Sequence, residues 1–347
     1  MGACRLNVDD LTLCVPEAAH ADEFLAMLRE RFVIDEGEGK PIEFLLGMAV
    51  HQDLQAGTIR MDMSMAIEKL ARGVLTEEEL VRSRGVHHPM LLAPLPRLSE
   101  RAIPSSSFDY LSVLGSLLHI SNCVRADVAV AVGILSRHAA TPGPQHVTAV
   151  KRVLQYLYNT RSRGITYSRS AVLSNTPMVY ERGVHPLSTS TNMLKVFADS
   201  DYAMDCTRRS TMGIVIMLNG GPIEWTSTLG KTVATSTCEA EVNAAVSAAK
   251  DSLHIRRMLF DLGLFAESTP IQIAEDNSAC IAQAHAGLRS VRNAKHYEVR
   301  LRFLQQLVVD GDVEFIYTPT EHQLADFFTK PLDVDTFQRF RDILMPA

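Results

Sequence analysis

From Leu194 onward the chain sets three short apolar runs one after another, then a single long helical stretch, then strands and helices by turns. The runs Leu194 to Ala198, Thr211 to Leu218 and Pro222 to Thr226 have the length and side-chain type of strands. A polar turn joins the first two, and Asn219-Gly-Gly221 joins the last two, a sequence suited to a tight hairpin, so an antiparallel meander is expected. A helix is expected from about Cys238 to Leu262, where Val242, Ala245, Val246, Ala249, Leu253 and Leu259 mark one apolar stripe and Gly263 supplies the stop. Strand Ile271 to Ala274, a short helix, a helix from about Lys295 to Val309, strand Val313 to Tyr317 and helix Glu321 to Phe328 follow. That order predicts a mixed α/β layer arrangement.

The preceding half reads differently. Cys4 to Val15 is strand-like, with Asp9-Asp10 at a hairpin turn. A helix is expected over Ala18 to Phe32, a strand over Ile42 to Val50, a turn at Ala56-Gly57, and another helix to about Ala71. Leu91 to Ser107 holds three prolines and four serines and reads as a linker. Tyr110 to Leu157 reads as helices broken at Thr141-Pro-Gly-Pro144, because two prolines and a glycine cannot continue a helix. Gly164 to Tyr167 and Val179-Tyr180 resemble short strands, and Leu187 to Asn192 a loop.

With 347 residues, 46% of them hydrophobic, the chain is long enough for two or three domains. No apolar run approaches the ~20 residues that span a bilayer, and Met1 to Leu13 lacks the pattern of a secretory signal, so no membrane partner and an intracellular location are expected. Six cysteines lie far apart, with no CxxC pair and no histidine at zinc-ligand spacing, and read as reduced thiols. A net charge of −6 argues mildly against nucleic-acid binding, yet Arg125 to Ser168 holds six cations against the single anion Asp127. Two readings of that stretch stand level: a face toward a phosphate backbone, or a solvated helix face.

Four acids fall where such a fold places strand ends or helix starts: Asp199, Glu241, Asp276 and Asp326. Phosphodiester hydrolysis needs such convergence, because two cations about 4 Å apart must stabilise both the attacking and the leaving oxygen. Magnesium, or manganese, prefers the oxygen ligands that carboxylates provide. Among 40 acidic residues an ordered set of four is weak by itself.

Their surroundings are specific. Phe197-Ala-Asp-Ser-Asp-Tyr-Ala203, Ser236-Thr-Cys-Glu-Ala-Glu241, Ala274-Glu-Asp-Asn-Ser-Ala279 and Gln323-Leu-Ala-Asp-Phe-Phe-Thr-Lys-Pro331 resemble the signature segments of ribonuclease H in copia-type retrotransposon Pol polyproteins. Arg208-Arg-Ser-Thr-Met-Gly213, Gly220-Gly-Pro-Ile-Glu-Trp225, Ala294-Lys-His-Tyr-Glu-Val-Arg300 and Tyr317-Thr-Pro319 extend the resemblance in the right order. It implies a ribonuclease H-like five-stranded mixed sheet with helices, with Asp199, Glu241, Asp276 and Asp326 as the metal-binding catalytic acids. Glu239 is then a decoy, Asp201 and Asp205 loop charges, His296 a packing residue and Trp225 a core residue. His322, in the loop before Asp326, either assists product release or is merely exposed.

The resemblance continues upstream. Tyr110-Leu-Ser-Val-Leu-Gly115, Val124-Arg-Ala-Asp127, Leu135-Ser-Arg137 and Lys151-Arg-Val-Leu-Gln-Tyr-Leu157 look like the segment joining polymerase to ribonuclease H, and Asn7-Val-Asp-Asp10 with Phe44-Leu-Leu-Gly47 like the end of the polymerase palm. It implies an α+β reverse-transcriptase palm/thumb remnant over 1–90, a Pro/Ser-rich linker over 91–109, a helical connection segment over 110–191 and a ribonuclease H domain over 192–347. Asn7 replaces the usual tyrosine and Ala126 the usual proline, and the third polymerase acid would precede Met1, so loss of polymerase activity is expected. The expected activity is two-metal cleavage of the RNA strand of an RNA/DNA hybrid, with Mg2+ or Mn2+ as cofactor. Hybrid, and the missing N-terminal polymerase parts, are the expected partners, in the cytoplasm within a virus-like particle or in the nucleus. The alternative is a decayed element that binds nucleic acid without cutting. An integrase-type transferase fits poorly, because Glu241 lies on the helix after the third strand rather than late in the chain.

Overall fold

The computed structural model describes residues 3–7, 10–15, 18–32, 41–90, 95–98, 108–169, 194–265, 270–287 and 297–346. The expected strand at Val179-Tyr180, the loop at Leu187 to Asn192 and most of the proline-rich linker lie outside them.

Strands β1 (Ala3–Asn7) and β2 (Asp10–Cys14) pair as an antiparallel hairpin, followed by α1 (Ala18–Arg29). The single strand expected over Ile42 to Val50 is instead a hairpin, β3 (Phe44–Leu45) and β4 (Met48–Asp53). Its turn is Leu46-Gly47, both at positive φ (52° and 82°), so the glycine bends a run whose apolar composition reads as one strand. The helix expected directly after Ala56-Gly57 begins only after another strand, β5 (Thr58–Asp62), which pairs with β4 in register Val50↔Met61. Tertiary pairing overrides local preference there. Helices α2 (Ser64–Val74), α3 (Glu77–Arg82), α4 (Tyr110–Cys123), α5 (Ala129–Ser136) and α6 (Pro144–Asn159) come next. The break before α6 falls where expected, with Pro144 at the first helical turn, where it sacrifices no hydrogen bond. Strand β6 (Ile165–Ser168) then returns to pair with β5, closing a four-stranded antiparallel sheet.

The second sheet is built from β7 (Leu194–Ser200), β8 (Thr211–Leu218), β9 (Gly221–Leu229), β10 (Ile271–Glu275) and β11 (Val313–Tyr317) in the spatial order β11-β10-β7-β8-β9. The first three are an antiparallel meander, whereas β10 runs parallel to β7 and β11 parallel to β10. Helix α7 (Thr237–Asp261) follows β9, α8 (Ser278–Ala284) and α9 (Glu298–Val309) lie between β10 and β11, and α10 (Val334–Leu344) ends the chain. This is the mixed five-stranded ribonuclease H-like α/β fold that the resemblance implied.

Both faces of the sheet are covered, which explains why β7 reads as a nearly continuous apolar run. Alternate residues Val196 and Ala198 pack with Val242, Ala245 and Ala249 of α7 and Leu304 of α9, while Phe197, Val215 and Met217 belong to a second core. That core is continuous with Leu117, Leu154 and Leu157 of α4 and α6 and with Phe337 and Phe340 of α10. Helix α10 has no counterpart in the sequence reading, although Asp333 caps it through Thr336 N–H (3.0 Å) and Phe337, Phe340 and Leu344 form a helical stripe. The helix expected over Glu321 to Phe328 is instead two 3-10 turns, Thr320–His322 and Leu324–Phe328. Residues Leu324 to Phe328 are all buried, so packing on every side, rather than helical periodicity, shapes them.

Candidate active site

Each acid is placed by a different element at one end of the sheet. Asp199 is the penultimate residue of β7, Glu241 lies in the second turn of α7, and Asp276 directly follows β10. Each offers one carboxylate oxygen, and the three oxygens lie within 4.8 Å of one another. Asp326, on the turn after β11, stands beside Asp199 and adds its charge there, but lies outside that close set of three.

Residues that sequence reasoning did not single out hold this geometry. Thr329 donates its hydroxyl to Asp199 Oδ2 at 2.8 Å. Gln323, fully buried, donates its side-chain amide to the carbonyls of Ala198 (3.1 Å) and Ala274 (3.2 Å), and its Oε1 accepts from Ala325 N–H. One side chain thus ties the Asp326 turn to the two parallel strands that carry Asp199 and lead to Asp276. Thr320 donates to Asp276 Oδ2 at 2.8 Å. The only sequence trace of these roles is that Gln323 and Thr329 fall inside a quoted segment and Thr320 directly after another.

A fifth carboxylate joins the four. Glu275, the last residue of β10, is fully buried; its Oε1 accepts from Asn277 N–H at 3.1 Å, and its Oε2 has no partner. Burial, and then the charges of Asp276 and Asp199, push it well above the ordinary carboxylate range. Burial first, and the neighbouring Asp326 next, raise Asp199 to about 8, against the Thr329 hydroxyl that holds it down. Glu241 is raised to about 10 by burial, then by Glu275, Asp199 and Asp276. So many acids share a buried pocket only by taking up protons or cations.

The donor set fits divalent cations. Glu241 Oε2 and Asp326 Oδ1 are buried with no hydrogen-bond partner, an arrangement that is costly unless something else satisfies them. All the donors are hard oxygens. Oxygens sharing one magnesium lie within about 4.2 Å of each other, so a small adjustment of Asp199, Glu241 and Asp276 closes on an ion.

Glu239 points elsewhere. Its Oε2 accepts from Thr235 N–H (2.7 Å) and the Thr235 hydroxyl (2.9 Å), while Ser236 caps its own N–H, so it fastens the start of α7. Asp201 and Asp205 are more than loop charges. Asp201 is buried and accepts from Thr211 N–H; Asp205 pairs with Arg137 at 2.9 Å. Partial burial opposes ionisation of Asp205, but the Thr207 hydroxyl and N–H and Arg137 hold it at about 2. Trp225 packs on the core and donates its indole N–H to Ser121 O at 3.0 Å. His322 ends the turn whose Thr320 reaches Asp276, and His296 lies outside the described residues.

The cation-rich stretch from Arg125 is largely consumed inside the molecule. Arg125 is wholly buried against Asp127 (2.7 Å), Lys151 meets Glu79 (2.9 Å), Arg161 meets Glu68 (3.8 Å) and Arg163 meets Asp342 (2.7 Å). Neither a free phosphate-binding face nor a simple solvated face describes it. Exposed cations stand instead at the acid end of the sheet: Arg208 and Arg209 on the β7–β8 loop and Lys231 on the β9–α7 loop, two loops joined by Gly230 N–H to Ser210 O at 2.7 Å. Among the described residues Cys123, Cys206, Cys238 and Cys280 are free, and no helix is long and apolar enough to cross a membrane.

No protein-family model matches the chain. It is 27% identical over 348 residues to the retrovirus-related Pol polyprotein from transposon TNT 1-94 of Nicotiana tabacum, an alignment covering 98% of the chain and 24% of that relative. The chain therefore spans about a quarter of that polyprotein's length. A second relative, 35% identical over 145 residues (42% of the chain, 89% of the relative), is the secreted RxLR effector protein 161 of Plasmopara viticola. Among solved structures, LC11-RNase H1, isolated from compost, superposes with a TM-score of 0.32 at 17% identity over 40% of the chain and 93% of its own. The chain's homologues over nearly its whole length, in tobacco and Arabidopsis thaliana, and over 65% of it in yeast Ty1, are retrovirus-related Pol polyproteins of copia/Ty1-type transposons.

Proposed function

We propose that the chain is a ribonuclease H-type endonuclease that hydrolyses the RNA strand of an RNA/DNA hybrid, with residues 192–347 as the nuclease domain. The observation that carries this reading is the meeting of Asp199, Glu241 and Asp276 oxygens within 4.8 Å, with Asp326 beside Asp199, at one end of a ribonuclease H-like sheet. These four acids would hold magnesium or manganese, and the bound cations would supply Lewis-acid activation of water and stabilisation of the departing oxygen.

The chain's own residues have separable tasks. Thr329 fixes the Asp199 rotamer, Thr320 fixes Asp276, and Gln323 sets the spacing between the strands that carry them. Arg208, Arg209 and Lys231 supply exposed positive charge at the same end of the sheet, where it can meet a phosphate backbone despite the net charge of −6. Preference for a hybrid would come from contacts to 2′-hydroxyls on one strand and a groove fitted to DNA on the other.

The first 90 residues and residues 110–191 are proposed as a polymerase remnant and connection segment without nucleotidyl transfer. Asp9 lies outside the described residues, and Asp10 begins β2. The substituted positions Asn7 and Ala126 favour the second reading, a decayed copy that binds without cutting. One assay separates the two: end-labelled RNA in a hybrid, incubated with the full chain and Mg2+ or Mn2+, should be cut to 5′-phosphate and 3′-hydroxyl products, and Asp199→Asn should not cut it. A folded protein that binds hybrid and manganese yet leaves the RNA intact would establish the decayed reading.

A further inference from the structure

Lys330 enters the acid cluster from the exposed side. Its Nζ lies 2.9 Å from Asp326 Oδ2, and the charges of Asp199 and Asp276 act on the same ammonium. The lysine side chain is 41% exposed and the Asp326 side chain 8%, so the ammonium can withdraw to solvent while the carboxylate cannot. The neighbouring Thr329 is pinned to Asp199, so one short turn delivers both a hydroxyl to the first acid and a cation to the last. Asp326 is also the acid left out of the close oxygen set, and its other oxygen, Oδ1, is buried without a partner.

We propose that Lys330 is a resident cation of this site: its ammonium holds Asp326 where a second divalent ion would otherwise bind, so the chain keeps one ion tightly on Asp199, Glu241 and Asp276 and admits another only when Lys330 withdraws. The inference rests on the reading of the four acids as a cation site. Geometry supports it, because the ammonium already meets the one acid that stands outside the close set of three. A lysine is suited to the role: its charge is a compact point on a flexible stem, able to leave when an ion arrives.

The test counts ions directly, without catalysis. Free Mn2+ is measured by electron paramagnetic resonance, alongside calorimetric titration, on the full chain and on Lys330→Met, Lys330→Gln and Lys330→Arg. Wild type and Lys330→Arg should bind one Mn2+ tightly and a second weakly. Lys330→Met and Lys330→Gln should bind the second at least about ten-fold more tightly, the scale at which neighbours of ligands tune metal affinity. Two ions of equal affinity in wild type, or a second affinity unchanged in both neutral variants, would overturn the role of Lys330 while leaving the cation site standing. Failure of every folded variant, wild type included, to bind manganese would overturn the site itself and this inference with it.

Discussion

Gly213 of β8 lies so close to Ala325 that a Cβ built on the glycine would stand 2.6 Å from the Ala325 carbonyl oxygen and 2.7 Å from Thr329 Cγ2. Across the sheet Gly213 is the register partner of Asp199. The turn that carries Asp326 is therefore seated on the strand pair that carries Asp199, and the missing side chain sets the distance between them.

Gly213→Ala is expected to lift the Leu324–Phe328 turn, because the nearest atom is the Ala325 backbone carbonyl oxygen and not the far end of a flexible side chain. Overpacking of this kind costs about 1–3 kcal/mol. Denaturant unfolding should show that loss, and manganese affinity should fall with it. Wild-type affinity and stability in the variant would show that Gly213 does not seat the turn.

Glu241 and Glu239 are two residues apart on α7 and so point about 200° apart around its axis. Glu241→Gln should abolish hybrid cleavage and weaken manganese binding. Glu239→Gln should retain most of both and lose stability through the Thr235 bonds, by about 1 kcal/mol. The opposite pattern in the two variants would reverse the assignment of the acid that faces the cluster.

Without metal, the elevated carboxyls make stability depend on pH. Asp199 at about 8 and Glu241 at about 10 bind protons in the folded chain that the unfolded chain, with carboxyls near about 4, has already released. Their contribution is complete below the unfolded value and is lost as pH rises through the folded ones. His138, held at about 4 by burial and then by the stacked His146, acts in the opposite sense, but only below about pH 6.5. The melting temperature in chelator should therefore fall from pH 7 to pH 9. Added manganese should raise it more at the higher pH, because bound ions replace protons. A melting temperature that climbs over that range in chelator would contradict the burial of these acids.

Among the described residues Arg125 is the largest wholly buried side chain, with Nε and Nη2 on the two Asp127 oxygens (2.9 and 2.7 Å) and Nη1 on Thr160 O (3.1 Å). Tyr156 donates its hydroxyl to the same carboxylate at 2.5 Å. Arg125→Met strands the buried Asp127 beside Tyr156 of α6 and should cost about 3–5 kcal/mol in chemical denaturation. Asp127→Asn combined with Arg125→Met should recover part of that loss. Independent, additive losses in the two single variants would show that the pair is not the unit.

Strand β8 was legible because both its faces are buried, and the edge strand β11 from its alternation of buried Val313 and Phe315 with exposed Glu314 and Tyr317; Thr211–Leu218 and Val313–Tyr317 end where the sequence runs end. The long helix was legible from its stripe, and the convergence of Asp199, Glu241 and Asp276 from the segments around them. Position along the chain was enough to say which end of the sheet they share. Tertiary structure decided what has no period and no composition. The Leu46-Gly47 turn divides one apolar run into two strands, and the buried Asp326 turn replaces an expected helix. Pairing of β5 with β6, from far along the chain, makes a strand where a helix was expected. The six cations of 125–168 looked available because sequence shows charges but not partners; Asp127, Asp205, Glu79, Glu68 and Asp342 reach five of them through the fold. Gln323, Glu275 and Lys330 escaped notice for the same reason. A lone polar residue acquires a role only when packing removes water and leaves it facing a particular neighbour, and that neighbour is chosen by the fold.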